Sequence, residues 1–272
     1  MENKLKFTEK IVRANNKKIK RDADRFLRIF LIVFIFGYLF FFSSTLWMPT
    51  DYTGVKASVI GKDIEGNDRE VALSAWDFCE DQEMFEIVLE ITNLSTDGIN
   101  RYKWSVIDKT NGMMKVKPVI ETDDLVVLHV QTNSFTEVSL RMDSPADDED
   151  FETLRFYTTK KDVNRVGHIE KKDEAAYRKI ALDARIGYAE KCISSAKKEI
   201  EKQEEIIKNA DKTISDLKEK QKFQTEEEKL DTDDKIAEID TERQTAAEAI
   251  EDKQEEIKEQ EKRIKMLKER KK

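Results

Sequence analysis

The chain has 272 residues, a formal net charge of −8 and 39% charged residues, well above the roughly 25% of an ordinary globular domain. The excess of charge is concentrated after residue 170, which argues against a second compact domain there and favours a helical rod. The two cysteines, Cys79 and Cys192, are too few for a disulfide framework, although a single bridge between them remains open.

An uncharged apolar segment, IFLIVFIFGYLFFFSSTLW, occupies residues 29–47. Its length of about 19 residues matches the ~20 needed to cross a ~30 Å hydrocarbon core, and a helix satisfies all its backbone groups in lipid. A cleaved signal peptide would have a shorter apolar region, of about 7–15 residues, and a small-residue cleavage site. Only Ser43-Ser44 resembles such a site, so the sequence predicts an uncleaved signal-anchor with a transmembrane helix at 29–48.

The segment before this helix, residues 1–28, is a basic tail with ten Lys and Arg and four acidic residues. The fifteen residues after Trp47 contain only two basic residues, Lys56 and Lys62. The positive-inside rule therefore places the N-terminus in the cytoplasm and everything after Met48 outside the cell membrane. Basic clusters beside a membrane attract anionic headgroups, and without alternating aromatic and basic residues no nucleic-acid partner is expected.

Residues 50–165 carry strand patterns spaced as in a β-sandwich. The clearest, FEIVLEI at 85–91, places Phe85, Ile87, Leu89 and Ile91 on one face and Glu86 and Glu90 on the other. Eight or so short strands with no helical pattern between them predict an antiparallel all-β sandwich. Further strands are predicted at 55–60, 71–78, 102–106, 115–120, 125–131, 136–142 and 153–159.

The predicted strand at 125–131, LVVLHVQ, is apolar on both faces, which indicates a central position in a sheet. Its histidine, His129, is therefore interpreted as a packed or hydrogen-bonded side chain and not as a metal ligand. Cys79 lies in an apolar strand-like context and is expected to be a small buried residue.

Four elements of this block form one pattern: the 85–91 strand followed by Asn93-Leu94-Ser95, the motif Tyr102-x-Trp104-x-Val106, and the strands at 136–140 and 154–156. On these elements, the block resembles immunoglobulin-like extracytoplasmic domains of Gram-positive membrane and lipoprotein families. The resemblance implies an immunoglobulin-like fold with Trp104 as the core tryptophan, but the inter-sheet cysteine pair is absent. It also implies a role in recognition or as a spacer.

One acidic loop follows the predicted strand at 136–142 and is a candidate Ca²⁺ site. Ca²⁺ takes six to eight oxygen ligands, often at millimolar affinity in extracellular modules. The loop lacks the glycine of an EF-hand and its spacing matches no motif, so a solvated acidic loop is favoured over a metal site. The five carboxylates are Asp143, Asp147, Asp148, Glu149 and Asp150.

Residues 170–272 are predicted to form a coiled coil, because apolar residues recur there at heptad spacing and no proline follows Pro145. The core of the first run is Ile186, Ile193, Ile200, Ile207, Ile214 and Leu217, and that of the second is Ile236, Ile239, Ile250, Ile257, Ile264 and Leu267.

The two heptad runs are out of register and are separated by a polar stretch at 223–234, in which Thr225-Glu226-Glu227-Glu228 matches a capping box. This predicts helices at about 173–222 and 226–271, folded back as an antiparallel hairpin. The hairpin would pair Ile214 with Ile239 and Ile186 with Leu267. A continuous helix that self-associates in parallel is the alternative, so a homo-oligomer remains open.

No catalytic motif accompanies this architecture. The two histidines, His129 and His168, have no metal-ligand spacing, and no glycine-rich phosphate loop or nucleophile elbow is present. The sequence therefore predicts a non-enzymatic, cofactor-free, single-pass membrane protein of the bacterial cell envelope. Its extracytoplasmic coiled coil would bind a protein partner in a secretion, conjugation or division assembly. The alternative is a membrane-anchored receptor whose sandwich binds a small ligand or Ca²⁺ and whose coiled coil sets the dimer state.

Overall fold

The computed structural model describes residues 54–145 and 151–270. The basic tail at 1–28, the apolar segment at 29–48 and four carboxylates of the acidic loop (147–150) lie outside these residues. Within the described residues, neither long helix has a stretch apolar enough to cross a membrane. Residues from Val55 onward form one compact unit, in which a β-sandwich is followed by two helices.

Within the described parts of the chain, nine strands form the sandwich. They pair antiparallel in the order β1-β2-β3-β6-β5-β4-β7-β8, and β9 pairs in parallel with β2. The order β2-β3-β6-β5 in one sheet and β4-β7-β8 in the other matches the two sheets of a constant-type immunoglobulin domain. The strands are β1 (Asp63–Gly66), β2 (Arg69–Cys79), β3 (Met84–Asn93), β4 (Lys103–Asp108), β5 (Gly112–Glu121), β6 (Leu125–Gln131), β7 (Glu137–Asp143), β8 (Leu154–Thr159) and β9 (Asn164–Arg165).

The prediction of a strand at 55–60 is wrong, because the first strand is β1, after the turn at Gly61. Residues 55–60 instead run beside β8 and are held there by Ser58. The Ser58 backbone N–H donates to the Tyr157 carbonyl at 2.8 Å, and the Tyr157 N–H donates to Ser58 Oγ at 2.9 Å. One backbone bond and one hydroxyl bond attach the segment without a strand ladder.

Inward-facing residues of both sheets form one core, as the predicted alternation requires. Trp76 on β2 is 3% exposed and is the more buried of the two core tryptophans. Trp104, on β4, is only partly buried and packs against the same core. Cys79 is buried and Cys192 is partly buried, and both are free thiols.

The apolar character of both faces of β6 has a structural reason. Val126, Leu128 and Val130 face the core between the sheets, whereas Leu125 and Val127 pack outward against the first long helix. The outer face of this sheet is therefore covered by helix, which the sequence analysis did not predict.

Two antiparallel helices, α1 (Glu174–Gln221) and α2 (Glu226–Arg270), form a hairpin that we term the arm. The predicted capping box is present, because the Thr225 N–H donates to Glu228 Oε2 at 2.8 Å and the Glu228 N–H donates back to Thr225 Oγ1. Arg243 of α2 pairs with Asp211 of α1 at 3.2 Å. The chain thus turns back at 222–225, and the continuous helix is not formed.

All twelve residues predicted for the coiled-coil core are buried or half-buried, with Ile186 and Leu267 the most buried. Along α2 the buried and half-buried positions include a series at alternating spacings of three and four residues from Lys229 to Leu267. These positions form the seam between the helices.

Candidate interaction site on the helical arm

The arm is attached to the sandwich through a buried carboxylate, Glu86 of β3, which is 2% exposed. Glu86 accepts hydrogen bonds from Tyr177 Oη at 2.7 Å, Lys172 Nζ at 2.8 Å and His129 Nε2 at 3.1 Å. An ionised carboxylate can only accept, so His129 carries its proton on Nε2. These four residues, which we term the Glu86 cluster, join β3 and β6 to the start of α1.

The contacts within the Glu86 cluster stabilise the ionised form of the Glu86 side chain. Burial alone would raise the pKa of Glu86, but the hydrogen bonds from His129, Lys172 and Tyr177 outweigh it and leave the pKa below its usual value. Burial, followed by the bond to Glu86, raises the pKa of Tyr177. Tyr177 therefore remains a neutral donor to a charged acceptor, a combination stronger than a bond between two neutral groups.

A second group of charges, which we term the arginine cluster, ties both helices of the arm to the sandwich. Arg185 of α1 donates to Glu90 and pairs with Asp63 at 2.8 Å, and Arg263 of α2 reaches the same Asp63 at 3.0 Å. Arg185 is only 8% exposed. Two arginines that are far apart in the sequence, one on each helix, therefore converge on one carboxylate of β1.

A third contact lies at the start of α1, where Arg178 donates to both carboxylate oxygens of Asp124, at 2.6 and 2.9 Å. The hydrogen bond from Arg178 lowers the pKa of Asp124. Both side chains are about half exposed, so this pair contributes little to stability compared with the two buried clusters.

The backbone at Gly61 approaches α1 so closely that no side chain fits. Gly61 has φ +80°, and a Cβ there would lie 2.1 Å from the carbonyl oxygen of Ala184. A residue with a Cβ at this position would meet helix backbone, which cannot move aside as a flexible side chain can.

We expect Gly61→Ala to destabilise the folded chain by at least about 2 kcal/mol, because it combines left-handed backbone strain with this clash. Urea unfolding of the full-length chain measures the loss. Gly98→Ala is the matched control, since Gly98 has φ +75° and nothing within 4 Å. Equal losses in the two variants would contradict a close contact between Gly61 and α1.

Beyond these contacts the arm projects away from the sandwich. Lys191 still borders the sandwich, and α1 continues for 30 residues to Gln221, about 45 Å at 1.5 Å per residue. Residues 216–230 form the end of the arm, which we term the tip. There Phe223 is 91% exposed and Leu230 is 67% exposed, in a chain segment otherwise rich in charge.

The two helix ends at the tip carry opposite charges. α1 ends with Lys218 and Lys220 in its last turn, followed by Lys222, and α2 begins with three glutamates, Glu226–Glu228. Each sign suits the dipole of its own helix end. Phe223 is therefore an exposed aromatic side chain among charged groups of both signs, since Asp216 and Glu219 lie beside it together with Lys220 and Lys222.

The predicted Ca²⁺ loop is only partly described. Asp143 accepts a hydrogen bond from Thr153 Oγ1, and the other four carboxylates lie outside the described residues. No group of three or more His, Cys, Asp or Glu side chains within 54–145 and 151–270 could hold a metal ion. His129 belongs to the Glu86 cluster, in agreement with the prediction of a hydrogen-bonded histidine.

Comparison with known proteins adds little. No family model matches the chain, and no curated protein matches it in sequence. A solved structure, the crystal structure of the Lin-41 filamin domain, aligns over 39% of this chain and 100% of its own length. The two share 7% identity with a TM-score of 0.24, a likeness too weak to carry an argument about function.

Proposed function

We propose that this chain is a non-enzymatic, membrane-anchored extracytoplasmic interaction protein whose arm docks a protein partner with its tip. The observation that carries the proposal is Phe223, a large aromatic side chain left 91% exposed at the end of a long helical hairpin. Aromatic residues are enriched among the few side chains that dominate binding at protein interfaces.

The way in which the arm is attached supports a docking role. An arm joined by a flexible linker would present its tip in many directions, whereas this arm is held by the Glu86 cluster and by the arginine cluster. Holding a binding element in place lowers the entropy lost when a partner binds. The heptad spacing of the half-buried positions supports coiled-coil packing within the arm.

The membrane part of the proposal rests on the sequence alone: the apolar segment at 29–48 and the basic tail at 1–28. With the tail in the cytoplasm, the sandwich and the arm would lie outside the cell membrane. An envelope assembly such as a secretion, conjugation or division machine is a setting in which such an arm would serve as a scaffold.

Site-specific photo-crosslinking in intact cells tests this proposal. A photoreactive phenylalanine analogue at Phe223 is expected to give one discrete adduct with another protein. The same analogue at Met113, which is 78% exposed on the sandwich, is the matched control and should not give that adduct. Adducts only between copies of the chain, or the same adduct from both positions, would contradict docking through the tip.

The substitution Phe223→Ala complements the crosslinking experiment. With a photoreactive residue at Leu230, the adduct should weaken about tenfold or more when Phe223 is truncated, since central aromatic residues often contribute ~2 kcal/mol or more to binding. An unchanged yield would show that Phe223 does not take part in the interface.

A further inference from the structure

The charge of α2 is divided between two parts of the helix. Residues 226–261 include sixteen acidic and five basic side chains, whereas residues 262–270 include five basic side chains and one acidic side chain. Two further lysines, Lys271 and Lys272, follow directly in the sequence. We term residues 262–270 the basic end of the arm. It contrasts with the rest of the helix, which is strongly acidic.

The charges of the basic end are exposed and unpaired. Lys262, Lys265, Lys268 and Arg270 are all exposed, and none of their side chains forms an ion pair or a hydrogen bond with another described residue. Arg263 differs, because it reaches Asp63 of the sandwich at 3.0 Å. Four cationic groups are therefore available to an anionic partner.

The carboxylates of the sandwich nearest to the basic end do not neutralise it. Met266 and Arg270 line a cavity of about 670 Å³ together with Glu90, Asp123 and Asp124. Two of these carboxylates, Glu90 and Asp124, are already paired with arginines of α1. Asp123 is exposed and forms no ion pair with a residue of the basic end.

The helix dipole accounts for only part of this charge. Cations stabilise the end of a helix, but the effect falls off beyond the last turn. Lys268 and Arg270 lie in the last turn of α2, whereas Lys262 and Lys265 precede it. Their presence calls for a partner other than the helix end.

An apolar side chain accompanies these charges. Met266 is 50% exposed, and it lies four residues from both Lys262 and Arg270, so the three share one face of the helix. Basic charge together with exposed apolar side chains is typical of helices that bind at a membrane surface. The composition of the basic end therefore favours a lipid surface over a small anion.

The chain itself limits the distance between the basic end and a bilayer. Arg263 contacts Asp63, and Asp63 follows the predicted transmembrane helix at 29–48 by fifteen residues. Fifteen extended residues span at most about 50 Å. With residues 29–48 in a membrane, the basic end is kept close to that membrane.

We propose that the basic end binds anionic lipid headgroups of the membrane that holds the anchor. This inference rests on the proposed function, because it takes residues 29–48 as the anchor. The exposed lysines and Arg270 would contact lipid phosphates, and Met266 would enter the interface. The same surface would repel the acidic part of α2, so the arm would be oriented with its tip away from the membrane.

Quenching of a fluorophore by spin-labelled lipid headgroups tests the proposal in the full-length chain. Both native cysteines are replaced, and the fluorophore is attached at Glu269→Cys or at Phe223→Cys. The chain is reconstituted into lipid discs of phosphatidylcholine, alone or with about 30% phosphatidylglycerol. The label at position 269 should be quenched at least about threefold more in the anionic discs, and about 1 M salt should remove the difference. The label at position 223 should show no difference.

Two triple variants with equal changes of charge locate the contact. Replacing three lysines of the basic end by glutamine should abolish the additional quenching, because each lysine contributes about fivefold to binding at an anionic surface. The matched control replaces three lysines of α1 and should keep the additional quenching. All six side chains are exposed, so both variants should fold. The lysines are Lys262, Lys265 and Lys268 in the first variant and Lys208, Lys212 and Lys218 in the control.

Equal quenching at position 269 in neutral and anionic discs, or an equal loss in the two triple variants, would overturn the proposal. So would a discrete protein adduct from a photoreactive residue at Met266 without quenching, because the basic end would then bind a protein. Carbonate extraction tests the anchor separately. A chain that resists extraction but shows no additional quenching overturns headgroup binding alone, whereas a chain that is extracted overturns the anchor as well.

Discussion

Glu86→Ala is expected to destabilise the folded chain by about 3–5 kcal/mol, because it breaks a buried charged cluster by removing one partner. The variant leaves Lys172, Tyr177 and His129 without the carboxylate that each of them contacts. Urea unfolding followed by near-ultraviolet circular dichroism measures the loss.

The matched control for this substitution is Glu65→Ala, at an exposed position of β1, which should change stability by no more than ~0.5 kcal/mol. A triple variant, Glu86→Leu with Lys172→Met and Tyr177→Phe, should recover much of the loss, because apolar replacement of a buried ionic group is often neutral. Similar unfolding of Glu86→Ala and Glu65→Ala would contradict a structural role for the Glu86 cluster.

The same cluster makes the attachment of the arm sensitive to acid. Because the pKa of Glu86 is lowered on folding, its contribution to stability is fully present above the unfolded pKa and is lost as the pH falls through the folded pKa. The loss is therefore expected below about pH 4. Asp77, whose pKa is raised by burial, has the opposite effect on stability, because protonation of its carboxylate removes the free-energy cost of burying a charge. When the free energy of unfolding is measured against pH, Glu86→Gln should make its decrease at acidic pH shallower. Asp77→Asn should make that decrease steeper.

The second large effect is expected for Tyr177→Ala, with a loss of about 3–5 kcal/mol from the cavity that it creates. Tyr177 is fully buried and packs against Val88, Leu125 and Val127 on the outer face of the sheet. Hydrogen exchange should accelerate in the first turns of α1, whereas amides between the arginine cluster and the tip should keep their protection. Tyr177→Phe, which removes only the hydroxyl group, should cost about 1–3 kcal/mol.

Phe223→Ala is the matched aromatic control for Tyr177→Ala, because Phe223 is 91% exposed and its truncation should change stability by less than ~0.5 kcal/mol. Unaccelerated exchange at the start of α1 in Tyr177→Ala would show that this residue does not hold the arm on the sandwich.

Local sequence patterns were sufficient to predict strands β2 to β8, the two helices and the turn between them, but not β1 or β9. Period-two alternation identified β3, and the break in the heptads with its capping box identified the end of the hairpin. Each of these signals lies within about 15 residues of chain. The prediction of a strand at 55–60 was wrong because the apolar pattern there is short. The hydrogen-bonding partner of this segment, Tyr157, lies about 100 residues away in the sequence.

The attachment of the arm could not be derived in this way, because it joins residues far apart in the sequence: Glu86 with Tyr177, and Asp63 with Arg263. Two signals nevertheless pointed to it. Val88 interrupts the polar face of β3 between Glu86 and Glu90, and β6 is apolar on both faces. Both indicate a second buried layer, which α1 supplies.

The fixed base and free end of the arm give it the mechanics of a lever. From Tyr177 to Lys191 the helix rests on the sandwich for about 21 Å, and it then extends about 45 Å further to its turn. A sideways force at Phe223 therefore produces a force about twice as large at the contacts between the base of the arm and the sandwich. We expect the resulting torque to fall on the contacts that attach the arm to the sandwich, which are the Glu86 cluster, the apolar packing of Tyr177 and the ion pairs at Asp63.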